Sequence, residues 1–286
     1  MISIIIINYN GIKYAEKLID SLNSQSVNYG EAVVIDNASR DKSENIFIEN
    51  LKNATMYKFK SNKGFARAVN TAVKISSFEN ILLLNNDIYL KSDFVENALK
   101  NLESDKKTFF APLVLNYEGK VIDSAGDCIE RGFRPVKRKS GEVFTGNLKK
   151  EYVNGFSMSA AYFKKKDFID LGMLDERFFM YFEDADFSLR ALESGYRILF
   201  SPECTAYHYI SASTKSRYKS AYSPQKVYWE GRNRVWMFLK SRYRFDLKKI
   251  LEFVYGTLAS SFFHFVKTSY FIEYFHGVSY ALLRGR

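Results

Sequence analysis

Ile81-Leu82-Leu83-Leu84-Asn85-Asn86-Asp87-Ile88-Tyr89-Leu90 is the stretch from which the fold is read. Four apolar residues run directly into Asn-Asn-Asp, and an apolar run resumes beyond. A short, wholly apolar run bounded by turn residues suits a strand buried on both faces. Such a strand delivers the residues after it to the carboxyl edge of a parallel sheet, where open α/β folds bind ligands. Here those residues are one carboxylate, Asp87, beside two amides. Taken alone, the same residues also describe a strand-to-helix turn capped by Ser92 or Asp93.

Working outward, the N-terminal half repeats the pattern. Residues 2–9 read as a first buried strand, and Gly11 to Asn23 as a helix with Ile12, Ala15, Leu18, Ile19 and Leu22 at helical spacing. Residues 31–35 form a second strand ending in Asp36-Asn37, and a helix starts at Asp41 or Ser43. Thr55 to Phe59 is a third strand, and Asn62-Lys63-Gly64 opens another helix. Strands alternating with helices at this spacing predict a parallel sheet with right-handed crossovers. Three polar clusters, Asn8-Tyr9-Asn10, Asp36-Asn37 and Asn85-Asn86-Asp87, then meet at one edge. That is a nucleotide-site layout without a dinucleotide fingerprint, because neither Gly-x-Gly-x-x-Gly nor a Gly-Lys-Ser/Thr loop is present. A metal ion held by carboxylate and imidazole is the alternative means of neutralising phosphates.

Residues 94–103 predict a helix and Thr108 to Leu115 a strand. From 116 to 150 the glycines at 119, 126, 132, 141 and 146, with the basic run Arg134–Lys139, predict hairpins and a loop beside the site. Residues 153–163 read as one strand of small and aromatic residues. The next stretch, Leu171-Gly172-Met173-Leu174-Asp175-Glu176-Arg177-Phe178-Phe179-Met180-Tyr181-Phe182-Glu183-Asp184-Ala185-Asp186, continues through Gly195, Pro202 and His208 to about Ser213. This pattern resembles the family-two glycosyltransferases with the GT-A fold, and their rhamnosyltransferase-like members in particular. With the strand ends, the resemblance spans roughly residues 1–240. The fold it implies is α/β, a Rossmann-like, mostly parallel sheet flanked by helices, with a C-terminal helical extension. The expected division is 1–223 for the catalytic domain and 224–286 for the extension.

The resemblance makes Asp184 the general base that takes the acceptor's proton, with Glu183 orienting the acceptor. Asp186 stands four residues before Arg190, which predicts an ion pair on the helix surface. Asp87 and His208 become ligands of Mn²⁺ or Mg²⁺ at the leaving diphosphate. Asp36 is placed against the nucleotide base, with Asn8, Asn10, Lys63, Gly64, Asn85 and Asn86 around the donor. Asn85 stands where the family's motif carries a first Asp.

Composition adds a partner. The net charge is +10, and residues 215–286 hold 14 Lys or Arg against Glu230, Asp246, Glu252 and Glu273, so the rest of the chain is balanced. The same 72 residues contain 18 aromatics. Their longest uncharged stretch, Phe253 to Val266, is 14 residues, short of the roughly 20 that span a bilayer. With Lys240, Arg242, Arg244, Lys248 and Lys249 ahead of it, this predicts an interfacial helix on anionic lipid; a subunit contact in a homodimer is the competing use. Two cysteines and an N-terminus without a basic leader point to the cytosol, peripheral on the inner face of the membrane. The expected activity is inverting transfer of a sugar from a dTDP-, UDP- or GDP-sugar to a lipid-linked glycan in cell-surface polysaccharide synthesis. Nucleotidyl transfer is the second enzyme reading, but Asn8-Tyr9-Asn10-Gly11-Ile12-Lys13 lacks the glycine-rich basic loop it needs. A nucleic-acid binder is the third, and the neutral first 214 residues speak against it.

Overall fold

The computed structural model describes residues 1–104, 106–209 and 222–284. Ser213, the far end of the family signature, and the basic residues 215–219 lie outside the described residues.

The isoleucines of β1 (Ile2–Asn8) explain why the first strand is apolar throughout. Ile4 and Ile6 face one core with β2 (Glu31–Asp36) residue Val34 and β4 (Asn80–Asn85) residues Leu82 and Leu84. Ile5 and Ile7 face the other, with Val33, Ile35 and Leu83. A strand with helices on both sides has no solvent face to leave polar. The first core is closed by α1 (Ile12–Asn23), α2 (Ser43–Asn50) and α4 (Phe94–Ser104). The second is closed by α3 (Phe65–Ile75), α5 (Lys165–Asp170) and α6 (Glu183–Glu193).

With β3 (Ala54–Lys58), the strands β3-β2-β1-β4 pair in parallel, as the sequence predicts. Beyond β4 come β11 (Ala160–Lys164), antiparallel, then β6 (Thr108–Asn116) and β12 (Arg197–His208), which are parallel to each other. The stretch 81–90 divides into β4 and a separate β5 (Ile88–Leu90) that pairs with the end of β12 and brings Ile88 opposite His208. β7 (Ile122–Ala125) pairs with β6, and β8 (Asp127–Glu130) with β9 (Arg134–Lys137) makes the expected hairpin.

One expectation is corrected. Residues 153–163 are not one strand: β10 is only Glu151–Tyr152, and β11 starts at Ala160. Between them the backbone bonds singly to different partners, with Asp127 N donating to Gly155 O and Asn85 N to Ser159 O (2.8 Å each). Gly155 weakens strand pairing, and Ser157 Oγ offers the amide of Ser159 a local partner at 3.3 Å.

Among the described residues the C-terminal region holds three α-helices, α7 (Pro224–Lys240), α8 (Leu247–Lys267) and α9 (Phe271–Arg284). They bury a third core in which Val227, Val235, Met237, Phe253 and Tyr274 join Phe133 and Phe178 from the rest of the chain. α7 and α9 touch at Gly277, where a Cβ would sit 2.1 Å from the Tyr228 carbonyl. Arg234, buried in this core, donates to the carbonyls of Gly132 and Gly256, to Ser260 Oγ and to Tyr274 Oη. The outer face of α8 carries Leu247, Leu251, Val254, Tyr255, Leu258, Phe262 and Phe265 exposed at helical spacing. Among the described residues no helix is long and apolar enough to cross a membrane.

Candidate active site

The polar ends of β1, β2 and β4 do meet. Asn8, fully buried, donates from Nδ2 to Asp36 Oδ2 (3.0 Å), Ser39 Oγ (3.2 Å) and Ser43 Oγ (2.8 Å), and accepts from Asn86 Nδ2 (2.9 Å). Asp36 is itself 0% exposed and also accepts from Ser39 N at 2.9 Å. Its carboxylate therefore braces the rim from below and does not open onto it. The rim proper is formed by Asn10, held left-handed (φ 51°) with its side chain accepting from Arg40 N, and by exposed Lys63. Asn37, next to Asp36, ties this loop to α3: its side chain accepts from Lys63 N (2.8 Å) and donates to Gly64 O (3.2 Å). Gly64 has φ 85°, and a Cβ there would lie 2.5 Å from the Phe179 carbonyl, so only glycine lets the two segments close.

Asp87 and His208 are brought together. His208 Nε2 lies 3.1 Å from Asp87 Oδ2, and its Nδ1 lies 2.9 Å from Asp123 Oδ2. Asp123, on β7, is also paired with Lys137 Nζ at 2.8 Å. Burial alone would lower the His208 pKa; hydrogen bonds to Asp123 and Asp87, and their charges, outweigh it and raise the value to about 9. Asp123 is held below the usual carboxylate range because the His208 hydrogen bond and the Lys137 charge overcome its burial. Asp87 Oδ1 is buried and has no hydrogen-bond partner among the described residues. An orphan carboxylate oxygen beside an imidazole already oriented through its other nitrogen is a donor set that fits a divalent cation. Among the described residues no group of three or more His, Cys, Asp or Glu forms a complete metal cage.

Glu183 and Asp184 open α6. The turn before them is strained: Phe179, Tyr181 and Phe182 have φ of 64°, 68° and 70°. Bulky residues in such regions cost about 1–3 kcal/mol each and persist only where surroundings impose them. Asp184 Oδ1 accepts from Ala185 N at 2.8 Å, while Glu183 Oε2 is buried without a partner among the described residues. Burial raises both carboxyls, and for Glu183 the neighbouring Asp184 charge adds to it. A third carboxyl joins them. Asp127, at the start of β8, is pushed up to about 7 by burial and then by the Asp184 charge, with Asp123 adding a smaller effect. Asp127 and Lys137 thus link the Asp123–His208–Asp87 string to the Glu183–Asp184 pair.

Asp186 takes the predicted ion pair with Arg190 (2.9 Å), but it is buried and shared with Lys240 of α7 (2.8 Å). Asp123 and Asp127 escape the sequence reading, since the site groups they act on, His208 and the Asp184 charge, lie 85 and 57 residues away. Their only local signal is two carboxylates around Ser124-Ala125-Gly126 in an otherwise apolar stretch.

Residues 3–172 match the model of glycosyl transferase family 2. The chain belongs to this family. Rhamnosyltransferase WbbL of Escherichia coli K12 is 24% identical over 243 residues, covering 78% of this chain and 88% of the relative. The low-salt glycan biosynthesis hexosyltransferase Agl10 of Haloferax volcanii is 27% identical over 268 residues, 90% of this chain and 80% of its own. Among solved structures, the mannosyltransferase PcManGT of Pyrobaculum calidifontis, in complex with GDP-Man and Mn²⁺, superposes with a TM-score of 0.59 at 19% identity, covering 100% of this chain and 76% of that one. GalNAc-T7 with UDP, GalNAc and Mn²⁺ gives 0.63 at 12% identity, covering 99% and 58%. The fold is GT-A, and the protein is a glycosyltransferase of family two.

Proposed function

We propose that this glycosyltransferase works by inversion, moving one sugar from a nucleoside diphosphate donor to a lipid-linked glycan in cell-surface polysaccharide synthesis, with rhamnose the first sugar to test. The observation that carries the reading is a pair of unlike carboxylate sites linked through Asp123, Lys137 and Asp127. One is Asp87 beside His208, with one oxygen that has no partner among the described residues; the other is Asp184 at the N-terminus of α6, burial having raised its basicity. A single base beside an anion site suits a one-step displacement.

Asp184 takes the proton of the acceptor hydroxyl as its oxygen bonds to the anomeric carbon. The bond from that carbon to the diphosphate breaks, and its electron pair leaves with the nucleotide. Glu183 orients the acceptor, and Asp127 adds a third carboxyl within reach of the Asp184 charge. Asp87 and His208 would hold Mn²⁺ or Mg²⁺, which would supply positive charge to stabilise the leaving diphosphate. Asn10, Lys63 and the Gly64 turn border the UDP, dTDP or GDP moiety, supported by the hydrogen-bonded Asn8, Asp36 and Asn86, and Asn85 completes the donor site. Residues 1–223 are the catalytic domain in this reading. The 224–286 extension sets it on the inner face of the membrane, supported by the exposed apolar stripe of α8 and the basic residues around it.

Asp184→Asn tests the reading, because it keeps the side-chain shape and removes the base. Transfer should fall by about 10²–10⁴-fold, with donor affinity by calorimetry unchanged and the product of the wild-type enzyme inverted by NMR. Transfer near the wild-type rate would remove Asp184 from its role.

A further inference from the structure

The strained turn before Glu183 and Asp184 is held by a helix more than 40 residues further along the chain. Asn233 of α7, 0% exposed, donates from Nδ2 to three carbonyls, Phe178 (3.1 Å), Met180 (2.9 Å) and Tyr181 (2.8 Å). Its neighbour Arg232 donates to the carbonyls of Arg177 (3.2 Å) and Phe178 (2.9 Å). Arg232 Nε also donates to Asn233 Oδ1 at 2.9 Å, which settles the amide with its NH₂ toward the turn. Phe65 N, at the start of α3, supplies the remaining carbonyl, Phe179, at 2.6 Å. Every carbonyl from Arg177 to Tyr181 therefore accepts from a donor outside the segment. The next one, Phe182, accepts from Asp186 N at 2.8 Å and begins α6.

A core amide chosen for packing alone would leave polar atoms to satisfy, whereas here its hydrogens are spent on one turn of left-handed aromatic residues. We infer that Asn233, oriented by Arg232, is a positioning residue for glycosyl transfer: it holds the Phe178–Tyr181 turn and so sets where the Asp184 carboxylate stands against the acceptor. The inference rests on the proposed role of Asp184. Misplacing a catalytic group by about 1 Å can cost on the order of 10²-fold in rate.

Asn233→Leu keeps similar bulk and removes every donor. It should lower kcat by about 30- to 100-fold, leave Mn²⁺-dependent affinity for the nucleoside diphosphate within about threefold, and speed amide exchange across 178–186. Val227→Ala, buried on the same helix and without a polar side-chain atom to bond the turn, is the control for a general loss of stability. Should Asn233→Leu not fold, Arg232→Met, which removes the orienting donor from a partly exposed position, should still lower kcat by about tenfold. The inference is overturned if the Asn233 variant loses no more activity than the control. It also fails if donor affinity falls in step with kcat, or if Arg232→Met leaves kcat unchanged. Amide exchange reads the turn whether or not Asp184 is the base, so the two assignments fail separately.

Discussion

Metal binding should tighten with pH by about tenfold per unit between pH 6.5 and 8.5. The perturbation is the proton on His208. With Asp123 on Nδ1 and Asp87 on Nε2, the imidazole carries a pKa of about 9 in the metal-free protein, so at pH 7 it is a cation bridging two carboxylates. A cation can be ligated only by the neutral ring, and two pKa units correspond to about 2.7 kcal/mol opposing binding at pH 7. Isothermal calorimetry with Mn²⁺ under anaerobic conditions, in buffers of different ionisation enthalpy, gives affinity and protons released together. One proton per metal at pH 7 is expected. Asp123→Asn removes a charge behind the ring, lowers its pKa and should flatten the slope. The folded pKa lies above the unfolded value near 6.5, so the matching stabilisation is complete below pH 6.5 and is lost as pH rises through about 9. Metal-free wild type should therefore lose up to about 3 kcal/mol over that window relative to His208→Gln. A flat affinity profile, or binding without proton release, refutes the assignment of His208 as a ligand.

Two further outcomes test the C-terminal helices. Arg234→Ala strands the carbonyls of Gly132 and Gly256 in a core, and urea unfolding should show a loss of about 3–5 kcal/mol, with Lys a poor substitute for the branched guanidinium. Leu258→Glu with Phe262→Glu, both exposed on α8, should leave the melting temperature in place and abolish co-sedimentation with anionic vesicles, which added salt should also weaken. Vesicle binding unchanged in that variant, or a wild-type dimer that the variant dissociates, assigns the stripe to subunit contact instead.

The parts of the site legible in the sequence are those fixed within one element. Apolar strands ending in Asn8, Asp36 and Asn85 announce a shared edge because parallel pairing leaves no other arrangement, and Asp87 follows directly from such an end, whereas Glu183–Asp184 open a helix and are legible only through the family resemblance. The hidden parts are decided by distant pairing. Nothing near Asp123 says that His208 will lie behind it, and nothing near Asn233 says that three carbonyls 52 to 55 residues away await its amide. Asp36 adds a detail that its place at the strand end does not carry: Asn8 and Ser39 hold its two carboxylate oxygens. The strand expected over 153–163 fails because small residues with serine hydroxyls give the backbone local alternatives that an apolar count does not register.

α7 has two faces with different obligations, one on the turn before Glu183 and one packed against α9 at Gly277. Grafting between relatives must respect that division. A junction at Ser223 would exchange the brace on the turn before Glu183 together with α8 and α9. One at Ser241, where the chain leaves α7 in extended conformation, exchanges only α8, with its exposed apolar stripe, and α9. Modularity in this chain begins one helix later than its charge distribution suggests.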